Sequence, residues 1–305
     1  MNKIVCLGAI VVDLILSPID SLPTLGNLKT IEKVSWNTGG CALNCSTNLT
    51  KMGIETTLIG AIGDDILGNW IVKKCINNGV DTKNIVIKNK YTSFSVVNVS
   101  SSGERSILHY LGTNEYLNIE DINFDIFNDA EYLYIGGVYG LSTLDKQIKD
   151  VAHKAKLSNP NLKILLDVIY DDNINDDSLI EDSFKFIDFF IPNYNEAKKM
   201  SGKSNLEEIS AYFLNKGIKN VIITLGKDGI FFANKENSYE IEGRKIKAID
   251  VTGAGDAFAS GLLGALVNGY ELKKAVEIGN NIAAISTTVV GASEGIVEFD
   301  KLILL

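Results

Sequence analysis

From residue 131 onward, short apolar runs alternate with segments of helical period, and few folds can satisfy that order. YLYIGG is followed by a helix predicted near 143–157, KILLD by a helix within 176–186, and FFIPN by two helices flanking Gly202. VIITLG and GIFFA come next, and a last long helix is predicted over roughly 272–288. A crossover long enough to hold a helix returns the chain to the same end of a sheet, so such strands pair in parallel with helices on both faces. The expectation is an α/β fold around a central, mostly parallel sheet.

The first 130 residues fit that plan with one addition. A first strand is predicted over 4–16, SPIDSLPTLGN is a loop, and a short strand lies within Lys29–Trp36. Gly39 and Gly40 precede a helix carrying Ala42, Leu43, Leu49 and Met52, which Gly53 is placed to end. A strand through Leu58–Ile62 leads to a helix with Ile66, Leu67, Trp70, Ile71 and Cys75, closed by Gly79. Residues 93–99 and 105–111, joined by SSSG, form a hairpin whose mixed polarity suits a flap rather than a core strand. No repeat or linker-like stretch interrupts the chain, so residues 1–305 are expected to form one domain.

The chemistry concentrates in KAIDVTGAGDAFASGLLGAL, residues 247–266. Ile246, Ala248 and Ile249 predict a buried strand ending at Asp250, and Gly253, Ala254 and Gly255 leave a backbone that can approach a ligand closely. Phe258, Leu262, Leu263 and Leu266 then follow at helical spacing. A helix that starts in a glycine turn points its free N–H groups and its positive dipole end at one spot, which favours a phosphate. Asp256 lies in the first turn, where it either caps the helix or takes a proton from an attacking hydroxyl.

A net charge of −9 without a compensating basic cluster argues against nucleic acid as a partner. No run approaches the ~20 apolar residues of a membrane span. The amino-terminal apolar run is broken by Asp13 and lacks a cleavage site, so it is expected to be a strand in a cytoplasmic protein. Cys41 and Cys45 have no second pair to complete a zinc site. A P-loop is excluded because Gly226-Lys227 is followed by Asp228 and has Val221 where the first glycine belongs. A dinucleotide fingerprint fails at Phe258, and GASEG at 291–295 has no histidine after Ser293 to complete a hydrolase triad.

Gly39-Gly40-Cys41-Ala42-Leu43-Asn44 is a second glycine turn opening a helix, with Asn44 placed to hydrogen-bond a polyol. GGCALNCSTNLTKMG, with Gly63 ten residues beyond Gly53, and DVTGAGDAFASG together resemble the two signatures of the PfkB carbohydrate kinase family. The resemblance covers essentially the whole chain. It implies a ribokinase-like three-layer sandwich with a small β lid formed by residues of about 12–37 and 91–112. It also implies ATP-dependent phosphorylation of a sugar hydroxyl, with Asp256 as general base and Gly253, Ala254 and Gly255 as the anion hole.

Further roles follow from the same resemblance. Asn193 and Glu196 in PNYNEA match an element acting on Mg2+ through water, Thr224 and Gly226 lie near the ATP phosphates, and Asn280 lies against the adenine. Asp13, Gly39, Gly40 and Asn44 would hold the sugar, with His109 and Arg105 facing it from the lid. Asp250, Thr252, Ser286, Gly291 and Gly295 match a loop that binds K+ in many relatives, and pairing of lids implies a homodimer. Ribokinases tend to carry a polar residue at Val11 and an acidic sugar contact where this chain has GGVYG, which argues against ribose. A nucleoside kinase of the same fold is the alternative.

Overall fold

The computed structural model describes residues 4–102, 104–169 and 178–304. The amino-terminal third contains β1 (Ile4–Gly8), β2 (Val11–Ser17), β3 (Lys33–Gly39), α1 (Cys41–Lys51), β4 (Thr56–Gly63) and α2 (Ile66–Asn77). β5 (Ile85–Lys88), β6 (Phe94–Val99) and β7 (Arg105–Tyr110) follow. The middle holds β8 (Tyr132–Val138), α3 (Ile148–Ser158), β9 (Lys163–Val168), β10 (Phe189–Phe190), α4 (Tyr194–Ser201) and α5 (Leu206–Asn215). β11 (Asn220–Thr224), β12 (Gly229–Asn234), β13 (Ser238–Glu242), α6 (Ala254–Val267), α7 (Leu272–Ser286) and α8 (Phe299–Leu302) complete the chain.

Nine strands form one sheet in the order β13-β12-β11-β10-β9-β8-β1-β4-β5, and β3-β2-β6-β7 form a second, smaller one. In the large sheet every pair is parallel except β11–β12 and β12–β13. Alternate side chains of each strand point to opposite faces. Ile4, Cys6, Tyr132 and Tyr134 therefore pack with Leu43, Phe258, Leu262 and Ile282 of α1, α6 and α7. Val5, Leu7, Leu133 and Ile135 pack on the other side with Val151, Ala197 and Phe213 of α3, α4 and α5. The result is the expected layer of sheet between two layers of helix.

Three local expectations are corrected. The apolar run 4–16 is two strands in two sheets, because the chain leaves the large sheet at Ala9–Ile10, where Ile10 N–H donates to Asn114 Oδ1 at 3.2 Å. Residues 246–249 form no strand, and Ile249 is 64% exposed. Their apolar character serves a cavity wall, described below, instead of a sheet. Within the helix expected over 176–186, residues 176 and 177 lie outside the described residues and Glu181–Phe186 is 3-10 helix. Strand β13 carried no prior signal, since its SYEIE alternation leaves both faces partly open.

Candidate active site

The amino terminus of α6 meets the amino terminus of α1 where the large and small sheets join. Gly253 caps α6 at φ 71°, and a Cβ there would fall 2.5 Å from the Ala292 Cβ, so the turn needs glycine for both conformation and space. A Cβ on Gly255 would meet nothing within 4 Å, because this backbone faces a cavity of about 520 Å3. The Ala254 N–H makes only a long 3.3 Å bond to the Val251 carbonyl.

Asp256 is buried on the first turn of α6, and Asn44 Nδ2 donates to its Oδ2 at 2.8 Å. Burial pushes its carboxyl up from 3.8 to about 6, against the pull of hydrogen bonds from Asn44, Cys41 and Tyr134. The Tyr134 hydroxyl lies between the two acids, its single proton directed to Asp167 Oδ2 at 2.7 Å, so only one of the two carboxyls receives it at a time. Asp167 is driven well above the carboxylate range by burial and then by the charges of Asp256 and Glu196, which favour its neutral form. One ligand atom each from Cys41, Asp167 and Asp256 lies within 4.8 Å of the others. Burial raises the Cys41 thiol, which stays protonated and donates.

Cys41, Tyr134 and Asp167 were not anticipated. Asp167 had a usable signal, since it ends the apolar run KILLD as Asp13 ends GAIVVD. Tyr134 had none, because a tyrosine in an apolar strand reads as core.

On the lid side, the register aligns Asn37, Asp13, Ser95 and His109 in one row across β3, β2, β6 and β7, all on one face. The adjacent row of Trp36, Leu14, Val96 and Leu108 faces the other way. Burial lifts the Asp13 carboxyl to about 6, opposed by a hydrogen bond from Ser95 and the charge of Arg105. Asp13 packs so closely on Gly39 that a Cβ there would sit 2.2 Å from Asp13 Oδ2. Gly40 starts α1 at φ 89°, and the buried Asn44 Oδ1 has no hydrogen-bond partner. His109 stays accessible, with Nδ1 3.1 Å from Ser95 Oγ and its pKa held down by partial burial.

The large cavity is bounded by Thr224, Gly226, Ala254, Gly255 and Asn280, and Ile246, Ala248 and Val251 supply its apolar wall. Asn280 is buried and donates to the Glu242 carbonyl at 2.9 Å. A single parallel bridge joins Thr224 to Asn193. Asn193 caps α4 by accepting from Glu196 N–H at 3.0 Å, while Glu196 Oε2 accepts from Asn193 N–H at 2.7 Å. Burial raises Glu196 to about 7. The capping bond from Asn193 N–H occupies Oε2 and leaves Oε1 for a cation, so this pair fits a hydrated Mg2+.

The loop expected to bind K+ fits less well. Asp250 Oδ1 accepts from Thr252 N–H at 2.9 Å and from Thr252 Oγ1 at 2.5 Å, and Oδ2 accepts from Gly291 N–H at 2.9 Å. Arg105 Nη1 lies 3.6 Å from the same Oδ1 and donates to Thr252 Oγ1. Ser286 Oγ is turned back to the Ala283 carbonyl, and a Cβ on Gly295 would sit 3.2 Å from the Ser286 Cα. The carboxylate thus accepts three hydrogen bonds and has the Arg105 cation already beside it. Among the described residues, no helix is long and apolar enough to cross a membrane.

Comparison with known proteins is consistent across sequence and structure. The chain is 29% identical over 265 residues to a ribokinase of Haemophilus influenzae, covering 85% of this chain and 83% of that one. It is 25% identical over 292 residues to a 2-dehydro-3-deoxygluconokinase of Bacillus subtilis, covering 91% and 89%. The structure of Arabidopsis thaliana ribokinase complexed with ribose and ATP superposes with a TM-score of 0.84 at 22% identity, over 99% of this chain and 98% of that one. Residues 1–298 match the model of the pfkB family carbohydrate kinases, and the chain belongs to that family.

Proposed function

We propose that the protein transfers the γ-phosphoryl group of ATP to a hydroxyl of a sugar, with Asp256 as the base. The observation that carries this reading is the position of Asp256 between two half-sites. Its carboxylate is bonded to Asn44 on the lid side, and one residue before it Gly255 opens onto the 520 Å3 cavity. A hydroxyl placed at Asp256 would therefore lie next to a phosphate placed at the helix terminus, the arrangement that phosphoryl transfer needs.

Asp13 accepts from sugar hydroxyls, and the unpartnered Asn44 Oδ1 offers one more acceptor. Gly39 and Gly40 let the sugar lie against backbone, and His109 and Ser95 close the row from the lid. Asp256 takes the proton of the attacking hydroxyl, and burial raises Asp167 further than Asp256, which favours the negative charge on Asp256. N–H groups of Gly253, Ala254 and Gly255 stabilise charge on the transferred group. Thr224 and Gly226 border the phosphates, and Asn280 meets the base. Mg2+, held through water by Glu196 and Asn193, would neutralise the phosphate oxygens.

The outward lid row supports a homodimer. Val34, Trp36, Leu108 and Tyr110 are exposed on that face, a patch a second lid could cover. The test of the function is ADP release from ATP across pentoses, hexoses, ketoses, acidic sugars, sugar phosphates and nucleosides. Stimulation by one sugar class supports the reading. Preference for a nucleoside would move the acceptor to that class, and stimulation by none would overturn it.

A further inference from the structure

Arg105 is the one lid side chain that reaches the loop behind the anion hole in an ion pair among the described residues. It lies at the start of β7, on the same face as His109 and hence as Asp13. Its guanidinium donates to Thr252 Oγ1, Thr252 Oγ1 donates on to Asp250 Oδ1, and the ion pair with Asp250 closes the triangle. Both members are mostly shielded, with 25% and 13% of their side chains exposed. Asp250 and Thr252 run directly into Gly253, Ala254 and Gly255. Gly291 N–H on Asp250 Oδ2 and two backbone bonds to the Thr287 carbonyl pin the loop from behind.

We propose that Arg105 is a tethered monovalent cation: with the lid down, its guanidinium stands at Asp250 where K+ would otherwise sit, so the lid itself orders the anion hole. A diffusible cation and the guanidinium would compete for one carboxylate and repel each other at a few ångströms. Arg105 acts through the loop as a positioning residue. Arg105 and Asp13 share the inward face of the lid, so the side chain that reaches the loop belongs to the same sheet as the sugar-side carboxylate.

The inference rests on the proposed kinase reading for its purpose, but its test does not. Thermal melting is compared for wild type, Arg105→Ala and Arg105→Gln in K+ and in choline at equal ionic strength. The wild type is expected to melt equally in both salts. The variants are expected to melt lower in choline and to regain about 2 °C or more in about 100 mM K+ through a newly opened site. Where turnover is measurable, the variants should lose about 10-fold or more and recover in part with K+ or millimolar guanidinium, a response that simple loss of packing would not give. Stabilisation of the wild type by K+ would overturn the proposal, as would variants that gain nothing from K+. Both melting outcomes can be read even if no acceptor sugar is found.

Discussion

Asn44 and Asp256 are 212 positions apart in the chain, yet Asn44 Nδ2 donates to Asp256 Oδ2 at 2.8 Å inside the protein. This bond joins the first helix, which borders the lid, to the helix whose terminus borders the large cavity. A carboxylate so placed is costly to the fold and useful to the chemistry.

Asp256→Asn is therefore expected to lower turnover by about 10²-fold or more while raising stability. Burial raises the folded-state value from 3.8 to about 6, so the folded protein binds this proton more tightly than the unfolded chain. The group's favourable contribution is complete below about pH 3.8 and is lost as pH rises through about 6. At neutral pH the ionised carboxylate thus costs up to about 3 kcal/mol. Calorimetry at pH 7.5 should show the variant melting above wild type, with ATP binding little changed. A variant that is active, or less stable, contradicts the assignment.

The same value sets an acid limb. Turnover should decline as pH falls through about 6, where Asp256 takes up its proton. Tyr134→Phe removes a hydrogen bond that lowers the Asp256 value, so the limb should move to higher pH. A pH–turnover profile of both proteins decides this. An unmoved limb would mean that Tyr134 serves Asp167 alone.

Gly39→Ala forces a Cβ to within 2.2 Å of Asp13 Oδ2 and must displace that carboxylate. The KM for the acceptor should rise about 10-fold or more, the scale for misplacing one charged hydrogen-bond partner. The KM for ATP should stay within about 2-fold, because neither Gly39 nor Asp13 lines the large cavity. Parallel changes in both constants would show that the two half-sites are not separable at Gly39.

Leu108→Glu places a charge in the outward row beside Val96 and across from Trp36. Light scattering is expected to show a dimer for wild type and a monomer for the variant. A monomeric wild type would remove the lid-to-lid contact.

Much of this molecule was legible in sequence because the same residues that carry motifs also carry structure. The alternation after residue 131 predicted a mostly parallel sheet, and His109 and Arg105, expected on the lid, lie on one face of it. What failed did so for identifiable reasons. Ile246 and Ala248 are apolar because they line a cavity, and periodicity cannot tell a ligand-facing loop from a buried strand. The run 4–16 hides a change of sheet, since both halves are equally apolar and the switch is fixed by the remote Asn114. Tyr134 on Asp167, and Arg105 beside Asp250, are tertiary contacts that no local spacing announces.

The change of sheet at Ala9–Ile10 also governs how the lid can move. β1 sits inside the large sheet between β8 and β4, and β2 continues from it after two buried residues. At the same level, Val12 N–H bonds the Ser93 carbonyl, Thr92 is tied to Asp65, and Thr113 N–H bonds the Tyr91 carbonyl. A flap on a loose joint could swing as a rigid plate, but here the roots of β2, β6 and β7 are held by these bonds. Opening must therefore come from flexing and twisting along the strands themselves, with the largest travel at the Arg105 end. Amide exchange should accordingly be slow at the root and graded toward the tip, and substitutions in the core beneath β1 should be felt as altered grip on the sugar.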